Sequence, residues 1–573
     1  MPSICKACLY AGEAVIITLL MSYLRRSFDL LLPHLFNFTY CMNDVVLNWN
    51  LVALDANRES HTNEKGEQTG PTLSSRALAI VHLAMHDAYA AILNLPTWPT
   101  YLPVASIPGA PTASTAPELA IAGAAFTALN ALFPSQKDYF AQQLHLLGGR
   151  KESEEHQYGE KVAKAMLQDR KFDPGANAGN YVPPARRNAH QVDPDNPNQG
   201  FHGPLYGAGS KGFAITARHE LATPPNDNAV YRAALKQVRY KGIKPALSGT
   251  LPSQSTVSPT SLNIPKRTAD ETIIGLFWGY DGAIDLGTPP RLYNQIIRKI
   301  AIARTNSLAD NLQLFTLVNV AMADAGILAW DQKYIHEFCR PVIGIRTYDA
   351  SSDPDGTTST NPINRSADPF WLPLGAPSSN SANRVTVMVP QKSFPFAVTQ
   401  TAQTKNFTPN FPAYPSGHAT FGAAAFHMTR LFYGSANGGV DLPATPNAGN
   451  NTTPDTLIDQ AAAGMNNTPF YFVSEEMNNK TQTNEGEVRP LHRRRFNSLW
   501  DMIIENGISR VYLGVHWVFD AFNIDDSDPF TPVFSNDPTQ RIGGIPLGLT
   551  IAEDIFRHRN GSGLRRSTVG PRS

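Results

Sequence analysis

A series of apolar segments with helical period, separated by long stretches rich in proline, glycine and asparagine, restricts the fold of this chain most. The clearest is 74–93, SSRALAIVHLAMHDAYAAIL, where apolar side chains return every three or four residues behind a serine suited to capping. Segments 116–132, 136–147 and 154–167 repeat the pattern, as do 291–303, 311–329 and 419–431. Residues 493–506 read as one more helix leading straight into the segment at 509. Period-two alternation is rare and short, so the chain is expected to be mostly α, with its helices packed in bundles. Turn-rich stretches at 173–212, about 348–414 and about 434–455 predict long ordered loops that shape one mouth of the molecule.

At 573 residues the chain can hold two ordinary domains or one large helical one. Lys+Arg and Asp+Glu are both 48, and a net charge of zero gives no ground for nucleic acid or an anionic membrane as partner. The four cysteines are Cys5, Cys8, Cys41 and Cys339; the Cys5-x2-Cys8 pair has no second pair to complete a zinc site, and no disulfide scaffold is expected. Residues 9–24 are apolar apart from Glu13 and precede Arg25-Arg26. Within 1–41 a signal, an anchor and a mis-assigned start with the real one near Met42 all remain open. After Met42 no unbroken run of 18 apolar residues occurs, so no membrane-spanning body is expected.

Three short segments carry the chemistry. Lys333 and Arg340 are seven apart, and on one helix they would point within about 20° of each other, letting both cations reach one anion. Pro415-Ser416-Gly417-His418 precedes the helical run at 419, so a hydroxyl, a close-approaching glycine amide and a proton-transferring imidazole would meet at a helix N-terminus. Arg510 and His516 are six apart, which one continuous helix would not place on one face; Gly514 between them marks a break. His516 and Asp520 are four apart, so a helical turn would let the carboxylate orient the imidazole. Each segment alone has a bland reading: a solvated basic pair, a capped helix, a structural histidine. Together they supply the donors that a tetrahedral oxyanion needs.

The order and spacing of these segments resemble the signature shared by vanadium-dependent haloperoxidases and the type-2 phosphatidic-acid phosphatase superfamily. Residues 49–62, 73–92, 280–296, 411–422, 509–521 and 542–556 further resemble the fungal vanadium chloroperoxidase type. The resemblance implies two four-helix bundles with long ordered loops. They would occupy 42–240 and 241–560, with a soft boundary near 215–260, a basic tail at 561–573 and the vanadate or phosphate pocket in the second bundle. It further implies one vanadate per chain, ligated by His516 and held by Lys333, Arg340, Ser416, Gly417 and Arg510, with His418 as acid–base residue. By the same resemblance Asp281 pairs with Arg510, and Trp330 and Phe411 line a halide site. A histidine resembles the Phe411 position in algal bromoperoxidases, so Phe411 points towards the chloroperoxidase type. The implied reaction takes hydrogen peroxide and halide to hypohalous acid through a peroxovanadate, with small organic molecules as acceptors. The alternative is a soluble acid phosphatase, in which His516 forms a phosphohistidine and His418 protonates the leaving alcohol. An oxidant of this kind is safer outside the cell, and an extracellular location is expected. Sequons at Asn37, Asn406 and Asn479 arise too readily by chance in an Asn-rich chain to add to that.

Overall fold

The computed structural model describes residues 44–572 apart from 108, 110–115, 227, 252–262, 348–367, 382–405, 437–469, 497 and 536. The 1–41 segment, with Cys5, Cys8, Asn37 and Cys41, and much of the loop zones at 348–414 and 434–455 lie outside the described residues.

The described chain is mostly helical. The first helices are α1 (Val45–Ser60), α2 (Gly70–Leu93), α3 (Pro117–Leu132), α4 (Lys137–Leu146) and α5 (Glu154–Asp169). Then follow α6 (Leu205–Gly209), α7 (Ala229–Lys241), α8 (Ala269–Phe277), α9 (Pro289–Ala303) and α10 (Leu308–His336). The last are α11 (Pro341–Thr347), α12 (Gly417–Ala436), α13 (Leu499–Tyr512) and α14 (Gly544–His558). Two antiparallel two-stranded ribbons join them: β1 (Phe470–Val473) with β2 (Arg493–Phe496), and β3 (Asn523–Ile524) with β4 (Pro532–Val533).

Side-chain caps set several helix starts. Asp44 accepts from the amides of Val46 and Leu47 at 2.9 Å each, and Ser307 forms a capping box with Asp310 at the head of α10. The serine expected to cap 74–93 instead lies inside α2, which begins four residues earlier with Pro71 in its first turn.

Helix α10 organises the core. Over 29 residues it is buried on every side from Asn311 to Lys333, with α2, α6, α12 and α14 packed along it. An apolar surface all round suits only a central position. By length and composition α2 and α10 could each cross a membrane, but 72% and 94% of their most apolar stretches are buried inside the protein. They are core helices, although the absence of an unbroken apolar run in the sequence understated their hydropathy. On one side α2 packs with α3 and α5; on the other α12 packs with α13 and α14. Close approach of α14 to α12 requires glycine: a Cβ on Gly544 would lie 2.5 Å from the Ser416 carbonyl oxygen, and one on Gly548 2.4 Å from that of Thr420.

Two local expectations fail for identifiable reasons. Residues 493–506 are not one helix. Arg493 to Phe496 pair with Val473 to Phe470, and α13 starts only after Ser498, whose hydroxyl accepts from the Asp501 amide at 2.8 Å. The partner strand lies too far away in sequence to register in local periodicity. Nor do Lys333 and Arg340 share a helix. Glu337 adopts a left-handed conformation (φ 50°) that ends α10, and Arg340 precedes Pro341, a position that disfavours helical backbone.

The C-terminal segment runs back across the molecule. The Ser567 amide donates to the Phe213 carbonyl (2.8 Å) and the Gly212 amide to that of Val569 (2.9 Å). Arg572 then pairs with Asp331 on α10 at 2.7 Å and with Glu220 at 2.8 Å.

Candidate active site

Trp330 and Lys333 occupy the last turns of α10, and the left-handed break at Glu337 turns the chain so that Arg340 returns towards them. The Arg340 guanidinium ties three segments together. Its Nε donates to the Phe411 carbonyl (3.0 Å), and its Nη1 donates to the Val515 carbonyl (2.9 Å) and to His516 Nε2 (2.9 Å). Its Nη2 is buried with no partner.

Lys333 Nζ donates to the carbonyls of Pro412 (2.9 Å), Ala413 (3.0 Å) and Pro415. It thereby clamps the stretch between Phe411 and α12. Burial, reinforced by Arg340, holds its pKa well below the ordinary lysine value. Burial likewise lowers that of Arg340 to about 9.

The Ser416 amide donates to the Asp520 carbonyl (2.8 Å), which ties the start of α12 to the 516–520 turn. The Gly417 and His418 amides, in the first turn of α12, lack an intrahelical acceptor as first-turn amides do. A Cβ on Gly417 would meet the Trp330 indole at 3.2 Å, so glycine lets the helix end sit against that ring.

Gly514, at φ +74°, breaks the chain after α13 as its position foretold. Arg510, in the last turn of α13, makes a bidentate pair with Asp281 at 2.7 and 3.0 Å, while its Nε is buried without a partner. His516 Nδ1 lies 2.7 Å from Asp520 Oδ2, which also accepts from the Trp517 amide (3.0 Å). Arginine only donates, so His516 accepts from Arg340 on Nε2 and carries its proton on Nδ1, facing Asp520. Burial holds the His516 pKa well below the usual histidine value, and Arg340 and Lys333 add to this. Burial pushes Asp520 up to about 7.

His418 Nε2 donates to the Gly279 carbonyl (2.9 Å) and lies 3.8 Å from Asp281. Its lone pair is therefore on Nδ1. Burial, with Arg510 nearby, lowers its pKa to about 4, so the ring is neutral near neutral pH.

A cavity of about 140 Å³ opens among these groups, bounded by Asp281, Trp330, Phe411, Gly417, His418, Arg510 and His516. Trp330 and Phe411 pack with centroids 5.0 Å apart and planes tilted at 48°, and the Lys333 and Arg340 cations lie 5.2 and 4.9 Å from the Phe411 ring centre. The Trp330 Nε1 is a further buried donor without a partner.

Of the residues singled out in the sequence, Asp281, Trp330, Phe411, Gly417, His418, Arg510 and His516 line the cavity, and Lys333, Arg340, Ser416 and Asp520 are tied to its walls by hydrogen bonds. The structure adds others: Gly70 and Pro71 from the start of α2, His202, Pro289, Phe407 and Phe421 line the same space. The cavity therefore takes its walls from both halves of the chain, not from the C-terminal half alone. No pattern in the sequence connected those added residues to the site, since tertiary packing alone delivers them.

Residues 33–202 match the family model described as the vanadium chloroperoxidase N-terminal domain, and 313–523 match that of the VCPO second helical-bundle domain. The vanadium chloroperoxidase of Curvularia inaequalis is 33% identical over an alignment covering 92% of this chain and 91% of that protein. Among solved structures, the first bacterial vanadium-dependent iodoperoxidase covers 89% of this chain and 95% of its own, with TM-score 0.54 and 17% identity. An apo-type bacterial vanadium-dependent chloroperoxidase covers 86% and 95%, with TM-score 0.50 and 14% identity. At these identities the two structures speak for the fold alone, whereas the matched domains and the Curvularia relative establish that the chain belongs to the vanadium chloroperoxidase family.

Proposed function

We propose that the protein oxidises halide with hydrogen peroxide to hypohalous acid, with one vanadate per chain held in the cavity around His516. The observation that carries this is the set of unspent donors in one place. Arg510 Nε and Trp330 Nε1 are buried without partners on residues that line the cavity, and Arg340 keeps Nη2 unpartnered while its Nη1 donates to His516 Nε2, the nitrogen that would turn to the ligand. That donor set fits a tetrahedral oxyanion with one nitrogen ligand. Vanadate, when bound, would act as a Lewis acid towards peroxide without changing its oxidation state.

The protein's own contributions are then distinct. His516 offers the nitrogen ligand, and Asp520 fixes its tautomer. Arg340, Arg510, the Ser416 hydroxyl and the Gly417 amide are the hydrogen-bond donors for the oxyanion, while Asp281 holds the Arg510 fork in place. Lys333 has committed its protons to three carbonyls, so it acts through its charge and by fixing the 412–415 stretch. His418 is neutral, and its Nδ1 can take a proton from peroxide and return it to the departing oxygen. Trp330 and Phe411 give halide a wall with few competing waters, where cationic attraction is strengthened.

An extracellular location and a division into bundles at 42–240 and 241–560 belong to the same proposal. The comparisons favour this reading over the phosphatase alternative. The test is halogenation of a phenolic dye by the purified protein with hydrogen peroxide and chloride or bromide, with and without orthovanadate. Vanadate-dependent turnover of chloride is the expected result. Hydrolysis of an aryl phosphate with no halogenation at all would overturn the proposal.

A further inference from the structure

One wall of the cavity comes from a residue that none of the three motif segments contains. His202 sits in the loop before α6, and its backbone is pinned on both sides. Its amide donates to the Asn410 carbonyl (3.1 Å), and its carbonyl accepts from the Tyr334 hydroxyl (2.7 Å) on α10. The imidazole, half-buried, meets Phe411 edge to face with centroids 5.4 Å apart and planes at 78°. Phe411 in turn packs against Trp330 at a tilt and lies under the Lys333 and Arg340 cations. The Phe411 ring therefore touches both the cations beside the oxyanion site and His202.

The nitrogens of His202 differ in what they can do. Nδ1 lies 3.4 Å from the Ala176 carbonyl, which can only accept, so the proton sits there in the neutral ring. None of the described residues bonds Nε2, and the ring borders the cavity. The imidazolium form would present an Nε2–H donor and a positive charge next to Phe411.

We propose that His202 is a halide-binding residue that sets which halide the cavity accepts, donating from Nε2–H to the anion held against Phe411 and Trp330. This rests on the halide-oxidising reading above. The overall reaction, X⁻ + H₂O₂ + H⁺ → HOX + H₂O, consumes one proton for each halide, and His202 brings the two in together. Burial lowers its basicity, so the proton arrives with the anion that compensates it. Chloride, the most strongly hydrated of the three halides, depends most on a charged donor to replace lost water, and iodide depends least. The other charged or titratable groups bordering the cavity are Asp281, His418, Arg510 and His516, with Tyr334 packed behind His202; Asp281 is committed to Arg510.

The test compares His202→Phe, which keeps a ring against Phe411 without a donor, with His202→Gln, which keeps a donor without a titrating charge. KM and kcat for chloride, bromide and iodide are measured at saturating peroxide and orthovanadate, from about pH 5 to 8, the range over which histidine changes charge. In His202→Phe the chloride KM is expected to rise about ten- to a hundredfold, the worth of one hydrogen bond to a charged group. Iodide KM should move least, and kcat far less than chloride KM. The rise of chloride KM with pH in the native protein should flatten in both variants. A His202→Phe enzyme with native chloride KM and native pH dependence would overturn the role of His202 while leaving halide oxidation standing. A native protein that oxidises no halide overturns the parent reading, and this inference with it. A vanadate titration of each variant separates loss of the cofactor from loss of halide, and His202→Gln carries the test if His202→Phe does not fold.

Discussion

Two buried polar regions lie against α10, and they are built on opposite terms. Where α1, α2, α9 and α10 meet, Asn50, His82, Asn294, Arg298 and Asn319 form a network that uses itself up. Asn50 bonds Asn294 (3.1 Å) and His82 (3.0 Å), and Asn294 and Asn319 exchange bonds of 2.9 and 3.1 Å. Arg298 serves the Asn50 side-chain oxygen (3.0 Å) and the Leu47 carbonyl. At the other end of α10, Arg510 and Trp330, which line one cavity, and Arg340, which donates to His516 on its wall, each keep a buried donor unspent. Orphans occur elsewhere, as at Trp49, Tyr158 and both nitrogens of His190, but none of those residues lines this cavity. A satisfied network specifies a packing; a converging set of unsatisfied donors specifies a ligand.

That contrast can be broken most forcefully at His516. In His516→Ala, vanadate binding by titration and vanadate-dependent turnover should both fall to background, and native turnover would remove His516 from its place. Arg340→Ala should lower kcat by about a hundred- to a thousandfold, as loss of one aimed donor does at an anionic transition state. A drop no larger than a few-fold would mean that its unspent Nη2 is incidental.

Asp520→Ala tests the support behind the ligand. Vanadate affinity should weaken about ten- to a hundredfold, because the imidazole loses the partner that fixes its tautomer.

In the satisfied network the signature should be reversed. Asn294→Ala strands buried partners and should cost about 1–3 kcal/mol of stability by urea unfolding, while the folded fraction keeps native vanadate affinity. A large loss of affinity there would erase the distinction between the two regions.

The smallest effect concerns pH. Burial lowers the His82 pKa to about 4, opposed by its bond to the Leu78 carbonyl and reinforced by Arg298. The unfolded chain therefore takes up a proton near pH 6.5 that the folded chain refuses, and stability declines as pH falls from about 6.5 towards 4. His82→Gln should flatten that decline in urea midpoints; an unaltered slope would exclude His82 as a source of it.

Helical period identified α2, α3, α5, α9, α10 and α12, because each buries a continuous apolar surface that local sequence must encode. It did not bring out α7, whose last two turns carry Arg239 and Lys241, or α14, which opens with Gly544 and holds Gly548 inside it. The second strand of the β1–β2 ribbon depends on a partner distant in sequence, which is why 493–506 read as one helix although α13 begins only at its local Ser498 cap. Within the site, His516, Asp520 and Gly514 were legible because four- and six-residue spacings act locally. The Lys333–Arg340 pair was legible as two cations but not as a corner, since the left-handed residue that makes it is a glutamate and not a glycine. His202 was silent, as only the fold places it across from Phe411.

The segment that runs back along the molecule to end at Arg572 bears on how the protein tolerates change. Arg572 grips Asp331, which directly follows Trp330 and stands two residues before Lys333. A change at Arg572 would therefore pull on the end of α10 that carries Trp330 and Lys333, through a contact 241 residues distant in sequence.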